Sequence, residues 1–558
     1  MINGQNTATR TWIIDIFLIF LLFSIGYGAF LGSYPLYVPD DARYIEVSRE
    51  MARSGDFVTP RLDGFKFIEK PPLFYWFEAT AIDLAGDSLW VGRSMNALFA
   101  VLGCLLMYGF GRCFYGRQAG WYAAAILGSS VIYIILARTI TIDMTLTFWL
   151  SASLLSFLRA YLLAPGKAKR LWCYCAYACA GLAVLSKGLI GIIFPIMIIG
   201  LWVVLRWDWK NLRYFYIPTG LLVFLLVALP WHILAQQADS DFFDFYIIGQ
   251  HFSRYATLAA KRYQPGWFYI VILIAGLLPW TAFLPGAIKY YVQQGWQAWR
   301  AQPVNSFLTV WFIFVFVFFS VSNSKLVPYI LPIFPALALL LGNYLYQYQQ
   351  NKKSTATLYY LIFGFTGIFA IACWTSPLWF TEKLMQYKDI IPYIYYMSFI
   401  VVVSVAAWGY CWKKGWISRG VGVLAGGMLI CLSFGIIFIT PITNKKSTKP
   451  FADYLENVLT PDDVIITYHN FYFDLPYYLD RLVLVNYDHR EIEFGLAQEP
   501  DNPQWVTTEE VWQLWNSSQR VFVVTPSKFY SEFKDAAMPG NLLVETSRNV
   551  LVSNQSMP

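Results

Sequence analysis

The sequence predicts a mainly α-helical polytopic membrane protein, with about thirteen transmembrane helices and a C-terminal α/β domain. Of its 558 residues, 57% are hydrophobic and only 13% are charged, whereas a soluble domain carries roughly 25% charged residues. The mean hydropathy is +0.47. Apolar runs close to the roughly 20 residues that span a bilayer recur as far as about residue 441. After that point, short apolar strands alternate with helical patterns.

Thirteen apolar runs define the predicted membrane helices. They lie near 11–31, 89–111, 118–136, 143–163, 171–187, 188–206, 214–236, 267–288, 306–322, 326–346, 357–379, 391–411 and 420–441. The first run is too long, and its start too weakly basic, for a cleaved signal peptide. We therefore assign residues 1–441 to a transmembrane domain, with outer loops at about 32–85 and 237–267.

The distribution of charge between loops predicts the orientation of the chain. Alternate loops are basic and contain Arg112, Arg117, Lys167, Lys169, Arg170, Arg206, Lys210, Arg213, Lys289, Arg300, Lys352, Lys353, Lys413, Lys414 and Arg419. Their one acid is Asp208. Because cytoplasmic loops are enriched in lysine and arginine, this pattern predicts a cytoplasmic N-terminus and a C-terminal domain on the periplasmic or extracellular side.

Residues 445–558 are predicted to form that outer domain. The predicted strands are Val464–Thr467, Leu482–Val485 and Val521–Val524, and the predicted helices are Phe451–Leu459, Thr508–Asn516 and Lys528–Ala536. Alternating strands and helices are typical of an α/β domain with a mostly parallel sheet. All eight cysteines lie before this region, in apolar stretches, which argues against a disulfide framework.

The first outer loop contains two groups of charged residues. Asp40 and Asp41 follow the first membrane helix and precede an amphipathic segment, 42–53, which is predicted to form a helix on the membrane surface. Two adjacent carboxylates can be an interfacial helix cap, or one can act as a base or position an acceptor. Glu69 and Lys70 form either a surface ion pair or a contact with an anionic lipid headgroup.

Two charged residues at the outer ends of membrane helices are further candidates. Asp143 lies near lipid, where an acid is costly and indicates function, although it could also pair with the nearby Arg138. Lys187 lies in a tight turn between two apolar runs. It can extend its ammonium to the interface or hold a phosphate.

Two outer segments add further cations, hydroxyls and histidines. One carries His251 and Arg254, and the other runs from Lys325 to Tyr329. Several cations converging at one membrane level suit a phosphate better than a neutral solute. His251, His469 and a glutamate from another segment could together form an open metal site, provided that the fold brings them together. A lone surface histidine, however, usually has no such role.

Several function classes are not supported. No phosphate loop or glycine-rich dinucleotide motif occurs at a strand–helix boundary, so no nucleotide cofactor is expected. The basic residues are spread over loops rather than gathered on a soluble face, which argues against a nucleic-acid partner. A transporter or flippase would show charges near the middle of the membrane and repeated halves, whereas the charges here cluster at the outer interface and no internal repeat occurs.

With these motifs, the chain resembles the bacterial polyprenyl-phosphate-dependent membrane glycosyltransferases of the GT-C class. It is most similar to the lipid A 4-amino-4-deoxy-L-arabinose transferases, which are relatives of the protein O-mannosyltransferases. The likeness covers most of residues 30–345. The motifs that carry it are Pro39-Asp40-Asp41-Ala42-Arg43-Tyr44, Ser48-Arg49-Glu50-Met51, Glu69-Lys70-Pro71, Asp143, Lys187-Gly188, His251 with Arg254, Leu278-Pro279-Trp280 and Lys325–Leu331.

The resemblance implies a GT-C fold with a periplasmic α/β domain, in the inner membrane of a bacterium and surrounded by membrane lipids. The sugar donor would be linked to undecaprenyl phosphate, and the acceptor would be lipid A or a related envelope molecule. The family's catalytic acids fall on Asp40, Asp41 and Asp143, and Asp41 stands where the family commonly has glutamate. The groups facing the donor phosphate fall on Lys70, Arg254 and Tyr329, with Lys187 and Lys325 as further cations.

The resemblance also implies Zn²⁺ or another divalent metal. Its ligands fall on Glu69 and His251, with His469 as the third ligand. Such a metal would organise the first loop against the C-terminal region rather than perform the chemistry. Two alternatives share the mechanism but not the acceptor or sugar: a protein O-mannosyltransferase, and a transferase of another sugar to the lipopolysaccharide core.

Overall fold

The computed structural model describes residues 2–246, 249, 263–351, 356–379, 388–435, 440, 446–487 and 492–556. The chain forms two compact units. The first, called the helical unit, comprises Met1–Leu31 and Arg93–Phe438. The second, called the mixed unit, comprises Gly32–Gly92 and Ile439–Pro558. The first loop after the N-terminal helix therefore belongs to the same compact unit as the C-terminal region.

Most of the described chain is α-helical. The α-helices are α1 (Ile2–Gly28), α2 (Asp40–Ser54), α3 (Leu73–Ala85), α4 (Leu89–Tyr115), α5 (Arg117–Ser129), α6 (Val131–Ala137), α7 (Ile142–Leu162), α8 (Lys167–Lys187), α9 (Ile190–Arg206), α10 (Ile217–Ala238), α11 (Phe268–Gly276), α12 (Leu284–Gln293), α13 (Gly295–Ala301), α14 (Pro303–Val321), α15 (Phe334–Asn351), α16 (Ala356–Trp374), α17 (Ser376–Trp379), α18 (Ile391–Lys413), α19 (Ile417–Gly435), α20 (Lys449–Leu455), α21 (Leu475–Leu479), α22 (Glu493–Gln498), α23 (Thr508–Trp515) and α24 (Tyr530–Lys534). Short 3₁₀ helices occur at Trp209–Tyr214, Trp280–Phe283, Val327–Ile333, Lys388–Ile390 and Ser527–Phe529.

The prediction of a multi-pass membrane protein is confirmed. Among the described residues, seven helices are long and apolar enough to cross a bilayer, and nine spans result if each of two bent pairs counts as one. Helical segments occupy all thirteen predicted runs. Two runs predicted as single helices are broken, because α5 and α6 meet at 65° and Phe268–Gly276 meets Trp280–Gln293 at 104°. The second break contains Pro279, which lacks the amide hydrogen that a continuous helix needs.

Buried charges in the helical unit are neutralised within the protein. Asp15 on α1 is fully buried and accepts two hydrogen bonds of 2.6 Å from the guanidinium of Arg117. Arg112 contacts the same carboxylate at 3.3 Å and lies 4.3 Å from the ring centre of Trp12. An ionised side chain at membrane depth is costly unless it is paired, so this cluster fixes α1 against the ends of α4 and α5.

Arg138, at the end of α6, is also fully buried, but it bonds to main-chain oxygens. Its guanidinium donates to the carbonyls of Gly26 at 3.0 Å and of Ala29 at 2.6 Å. It also donates to Ser433 on α19 at 3.3 Å. The suggested pair of Arg138 with Asp143 is not what forms, since Asp143 bonds instead to Lys187. Arg138 thereby joins three helices.

The mixed unit contains a five-stranded sheet. Its strands are β3 (Val464–Tyr468), β4 (Leu484–Asn486), β5 (Val521–Pro526), β6 (Asn541–Glu545) and β7 (Asn549–Ser553), which follow a two-stranded hairpin of β1 (Arg61–Leu62) and β2 (Phe65–Lys66). The order is β4-β3-β5-β7-β6. The three predicted strands form the parallel part. The C-terminal hairpin β6–β7, which was not predicted, adds two antiparallel pairs.

Helix α2 carries the adjacent acids Asp40 and Asp41 and is enclosed by protein. The apolar residues Tyr44, Ile45, Val47 and Met51 are all buried. The helix is therefore confirmed, but the prediction that it lies on a membrane surface is wrong. Its amphipathic pattern reflects packing inside the mixed unit, because a helix needs an apolar stripe to face either a protein core or a bilayer.

Gly120 should prove necessary for the close approach of α4 and α5. An added Cβ would lie 2.6 Å from the Tyr108 carbonyl oxygen and 2.7 Å from the Arg112 nitrogen. Small residues let helix backbones approach in membranes, so Gly120→Ala should lower the thermal unfolding midpoint in detergent by several degrees. In the matched variant Gly109→Ala, the Cβ meets no atom within 4 Å, so its midpoint should be unchanged or higher. Equal midpoints for the two variants would contradict the interpretation.

Candidate active site

Asp143 is held at the first turn of α7 by the residues before it. Its main-chain nitrogen donates to the Thr141 hydroxyl at 3.3 Å, and that hydroxyl donates to the Asp143 carboxylate at 3.1 Å. The Thr141 carbonyl in turn accepts a 2.8 Å hydrogen bond from the amide of Asn96 on α4. An acid in the first helical turn is also favoured by the helix dipole. The carboxylate is therefore fixed in direction as well as position.

The partner of this carboxylate is the ammonium of Lys187, the last residue of α8. Lys187 Nζ donates to Asp143 Oδ1 and lies 4.4 Å from the ring centre of Tyr329. The Asp143 and Lys187 side chains are only 8% and 11% exposed. The structure thus brings together three of the predicted site residues, in an arrangement that presents a positioned cation between a carboxylate and an aromatic face.

Lys325 lies two residues before the 3₁₀ helix that carries Tyr329, and its ammonium is bonded to main-chain oxygens. It donates to the Ser322 carbonyl at 2.5 Å and to the Gln264 carbonyl at 3.0 Å. The residue is buried. These bonds stabilise the turn that places Tyr329, and the prediction that Lys325 contacts the donor phosphate stays a prediction.

In the mixed unit, Asp40 and Asp41 form the first turn of α2, but their environments differ. The Asp40 side chain is 48% exposed and accepts a 3.0 Å hydrogen bond from Arg43. Asp41 is fully buried, and its carboxylate accepts a 3.4 Å hydrogen bond from the Tyr37 main-chain nitrogen. Asp40 is thus the more accessible carboxylate, as the chemistry proposed for it requires.

A buried arginine fixes α2 to the C-terminal part of the mixed unit. Arg49 donates to the carbonyls of Pro476 and Tyr477, both at 2.9 Å. It also donates to Glu46 at 2.8 Å and to Asp480 at 3.2 Å. Its side chain is 2% exposed. Charge-assisted hydrogen bonds of this kind are stronger than neutral ones, so Arg49 sets the position of the helix that carries Asp40.

Burial favours the neutral form of other carboxyls around α2. Burial raises the pKa of Glu50 to about 8, and the nearby Glu46 carboxyl adds to that rise. Glu50 accepts hydrogen bonds from the main-chain nitrogens of Asp63 and Gly64 at 2.5 and 3.0 Å. Burial also holds the pKa of Asp63 and of Glu78 well above the usual range. Near neutral pH, a protonated Glu50 lessens the repulsion among these acids.

The other predicted site residues are Glu69, Lys70, His469, His251 and Arg254. Glu69 is buried, and Lys70 is half-buried just before α3. His469 follows β3 with a positive φ of 54°, and its ring stacks on Phe529 with a centroid distance of 4.3 Å. His251 and Arg254 lie outside the described residues.

No group of three histidine, cysteine or acidic side chains is arranged to hold a metal within the part of the chain that the structure describes. Because His251 falls outside that part, the predicted set of ligands is incomplete there. The chemistry derived below accordingly has no step that passes through a metal.

Sequence reasoning missed the groups that support the site rather than those that form it. Thr141 is a helix-capping residue, and a threonine just before an acidic first turn is a recognisable capping signal. The sequence does not indicate the role of Asn96, because Asn96 bonds to a residue 45 positions further along the chain. The same holds for Pro476 and Tyr477, whose carbonyls receive the guanidinium of Arg49 from 427 and 428 residues away.

Comparison with known proteins agrees with this fold. The family model for dolichyl-phosphate-mannose-protein mannosyltransferases matches residues 13–246. The model for the aminoarabinose transferase C-terminal domain matches residues 451–554. The crystal structure of ArnT from Cupriavidus metallidurans bound to undecaprenyl phosphate is 26% identical, with a TM-score of 0.86 over 98% of both chains. The chain is thus a glycosyltransferase with a GT-C fold.

Within that class it is an enzyme similar to ArnT and to the protein mannosyltransferases. An undecaprenyl phosphate-α-4-amino-4-deoxy-L-arabinose arabinosyl transferase of Pseudomonas paraeruginosa is 27% identical over 537 residues, which cover 94% of this chain and 95% of the relative. The enzyme of that name from Edwardsiella ictaluri is 30% identical over 365 residues, or 65% of each chain. The resemblance predicted from the motifs is confirmed.

Replacing Arg49 should loosen α2. Arg49→Met keeps much of the side-chain volume but leaves the Glu46 carboxylate buried without its cation, and breaking such a pair typically costs about 3–5 kcal/mol. We expect peptides covering α2 to exchange their amide hydrogens faster with deuterium. The matched variant Arg53→Met removes a side chain that is 47% exposed, where an ion pair contributes only about 0–1 kcal/mol, and should leave exchange unchanged. The same exchange rates in both variants would show that Arg49 does not fix α2.

Proposed function

We propose that this enzyme transfers 4-amino-4-deoxy-L-arabinose from undecaprenyl phosphate to lipid A at the periplasmic face of a bacterial inner membrane. The observation that carries the proposal is the likeness, over 98% of the chain, to an ArnT structure bound to undecaprenyl phosphate. The names of the relatives specify the same donor. The basic loops support a cytoplasmic N-terminus and a periplasmic C-terminal domain joined by thirteen membrane helices.

The reaction exchanges one bond at the anomeric carbon of the sugar. The bond from this carbon to the carrier-phosphate oxygen breaks, and its electron pair leaves with the phosphate. An oxygen of the acceptor attacks the opposite face and forms the new bond, which inverts the configuration. The leaving phosphate gains negative charge, so cations fixed in advance lower the barrier. Lys70, Arg254 and Lys187 would supply them.

The contacts of Lys187 suit this role. Its ammonium is already held by Asp143 and lies against the Tyr329 ring, so little reorganisation is needed when a phosphate arrives. Asp143 would thus act through Lys187, as a positioning residue.

Asp40 would orient the acceptor. It lies at the N-terminal end of α2, is half-exposed and has Arg43 as a neighbour. If the acceptor is a phosphate oxygen of lipid A, it is already nucleophilic, and Asp40 needs only to position it. If the acceptor is a hydroxyl, Asp40 would have to remove its proton as a general base. Asp41 is buried and would support the turn.

A second candidate is transfer of mannose to protein. It is favoured by the family model for dolichyl-phosphate-mannose-protein mannosyltransferases, which matches residues 13–246. The aminoarabinose transferase model over residues 451–554 favours the lipid A reaction. The two candidates share the donor chemistry and differ in the acceptor, so product analysis separates them.

Asp40→Asn and Lys70→Ala should each lower product formation by about 10²-fold or more. A positioned acid–base group typically contributes about 10²–10⁴-fold, and loss of one preorganised group that stabilises developing negative charge typically costs about 10²–10³-fold. The assay expresses each variant in a strain that lacks its own transferase and measures aminoarabinose-modified lipid A by mass spectrometry. Asp83→Asn, at an exposed position of α3, is the matched control and should give normal product. Normal product from both test variants would reject the mechanism. Mannosylated protein in place of modified lipid A would favour the second candidate.

We also propose that Glu69, His251 and His469 bind Zn²⁺ or a similar divalent metal. Carboxylate and imidazole ligands suit zinc, and the metal would order the first loop rather than react. Metal analysis of purified protein should find about one zinc per chain, and less in His251→Ala. His232→Ala is the control, because the His232 ring hydrogen-bonds the Ala228 carbonyl within α10. Equal zinc in the wild type and both variants would remove His251 as a ligand.

A further inference from the structure

An apolar groove runs along the surface of the helical unit. It has a volume of about 510 Å³. Its walls come from α1, α4, α7 and α8, and are lined by Trp12, Leu102, Leu105, Leu106, Gly109, Phe110, Cys113, Phe148, Arg159 and Trp172. Most of these side chains are only partly buried against the core, so the groove is open at the surface.

The length of the groove matches one leaflet of a bilayer. On α4 its lining extends from Leu102 to Cys113, and on α7 from Phe148 to Arg159. Each stretch rises by about 16 Å at 1.5 Å per residue. The hydrocarbon core of a bilayer is about 30 Å thick, so this is close to half of it. An acyl chain of one leaflet would fill the groove along its length.

The groove has a polar end. Arg159 lies in the last turn of α7. Trp12 lies at the start of the membrane segment Thr11–Gly28 of α1, and Trp172 lies near the start of α8. Tryptophan is enriched where a membrane meets water. The polar end therefore lies at the interface on the side of the basic loops, and the apolar end points to the middle of the membrane.

The charge of Arg159 is available to a ligand. No hydrogen bond or ion pair joins its guanidinium to the residues that the structure describes. Other cations at the same end are engaged. Arg112 and Arg117 bond to Asp15, and Lys169 lies 4.9 Å from the Phe215 ring centre. Arg159 is thus an uncompensated positive charge at the mouth of an apolar groove of acyl-chain length.

We propose that this groove binds one anionic glycerophospholipid, with an acyl chain along α4 and α7 and the headgroup phosphate on Arg159. A guanidinium binds phosphate oxygens in a fork geometry. The surrounding basic loops favour a lipid with net negative charge over a zwitterionic one. The bound lipid would stabilise the packing of α1, whose membrane segment Thr11–Gly28 is only 22% buried within the protein.

The first experiment removes the charge. Full-length protein in detergent is titrated with phosphatidylglycerol or phosphatidylcholine, and bound lipid is counted by native mass spectrometry. The wild type should hold one phosphatidylglycerol with at least fivefold preference over phosphatidylcholine. Arg159→Gln should lose that preference. Arg170→Gln, the matched control, removes an equal charge from an exposed position that does not line the groove and should keep it.

The second experiment fills the groove without touching the charge. A Cβ at Gly109 meets nothing within 4 Å, so Gly109→Leu can place its side chain in the groove where an acyl chain would lie. It should bind at least fivefold less phosphatidylglycerol. Gly200→Leu is the control, since its Cβ also meets nothing within 4 Å and the residue does not line the groove.

The thermal unfolding midpoint gives an independent readout, since a ligand that binds only the folded state raises it. Phosphatidylglycerol should raise the midpoint of the wild type and of both controls, but not of Arg159→Gln or Gly109→Leu. Equal retention of the lipid by all variants would overturn the proposal, as would equal binding of phosphatidylcholine. Displacement of the bound lipid by equimolar undecaprenyl phosphate would also overturn it, by assigning the groove to the donor chain.

Discussion

The described charges buried in the helical unit depend on partners supplied by the protein, and this requirement organises the bundle. Asp15 is neutralised by Arg117 and Arg112, and Arg138 is held by main-chain carbonyls of neighbouring helices. Each pairing ties helices that are distant in the sequence. Since an unpaired charge at membrane depth is costly, these contacts select one arrangement of helices from the many that apolar surfaces alone would allow. Asp143 and Lys187 likewise form a partly enclosed ion pair at the proposed site.

The sequence was most informative where the pattern is local. Apolar runs located the helices, and three apolar stretches located β3, β4 and β5, because hydrophobic period and length are properties of a short window. The hairpin β6–β7 escaped although its strands, Asn541–Glu545 and Asn549–Ser553, are as long as β3. Strand β6 is half-exposed, so burial gives it a weaker pattern. The bend between α5 and α6 also escaped, although Gly128 directly precedes Ser129 and Ser130 and glycine–serine pairs are a known cause of helix kinks.

Partnership between distant residues could not be predicted. Asp143 was recognisable as an acid near lipid, but the sequence did not show which cation pairs with it. Arg138 was the suggested partner, whereas the actual partner, Lys187, is 44 residues away. The apolar face of α2 was equally ambiguous, because bilayer and protein core demand the same periodicity. Only the tertiary contacts show that Lys187 is the partner of Asp143 and that the apolar face of α2 packs against protein. The candidate site was therefore predictable as a set of residue types, and its geometry was not.

The position of α2 also has a consequence for the order of assembly. The carbonyl oxygens that receive Arg49 lie 427 and 428 residues further along the chain. At about 5–20 residues per second, the ribosome makes them tens of seconds after α2 has emerged. During that interval Arg49 can pair with Glu46 on its own helix, but it lacks the two carbonyls that fix α2 in place. The C-terminal region is the last part to be made and it completes the enclosure of α2. A chain cut short before it would therefore retain Asp40 and Asp41 but lack the support for the helix that carries them.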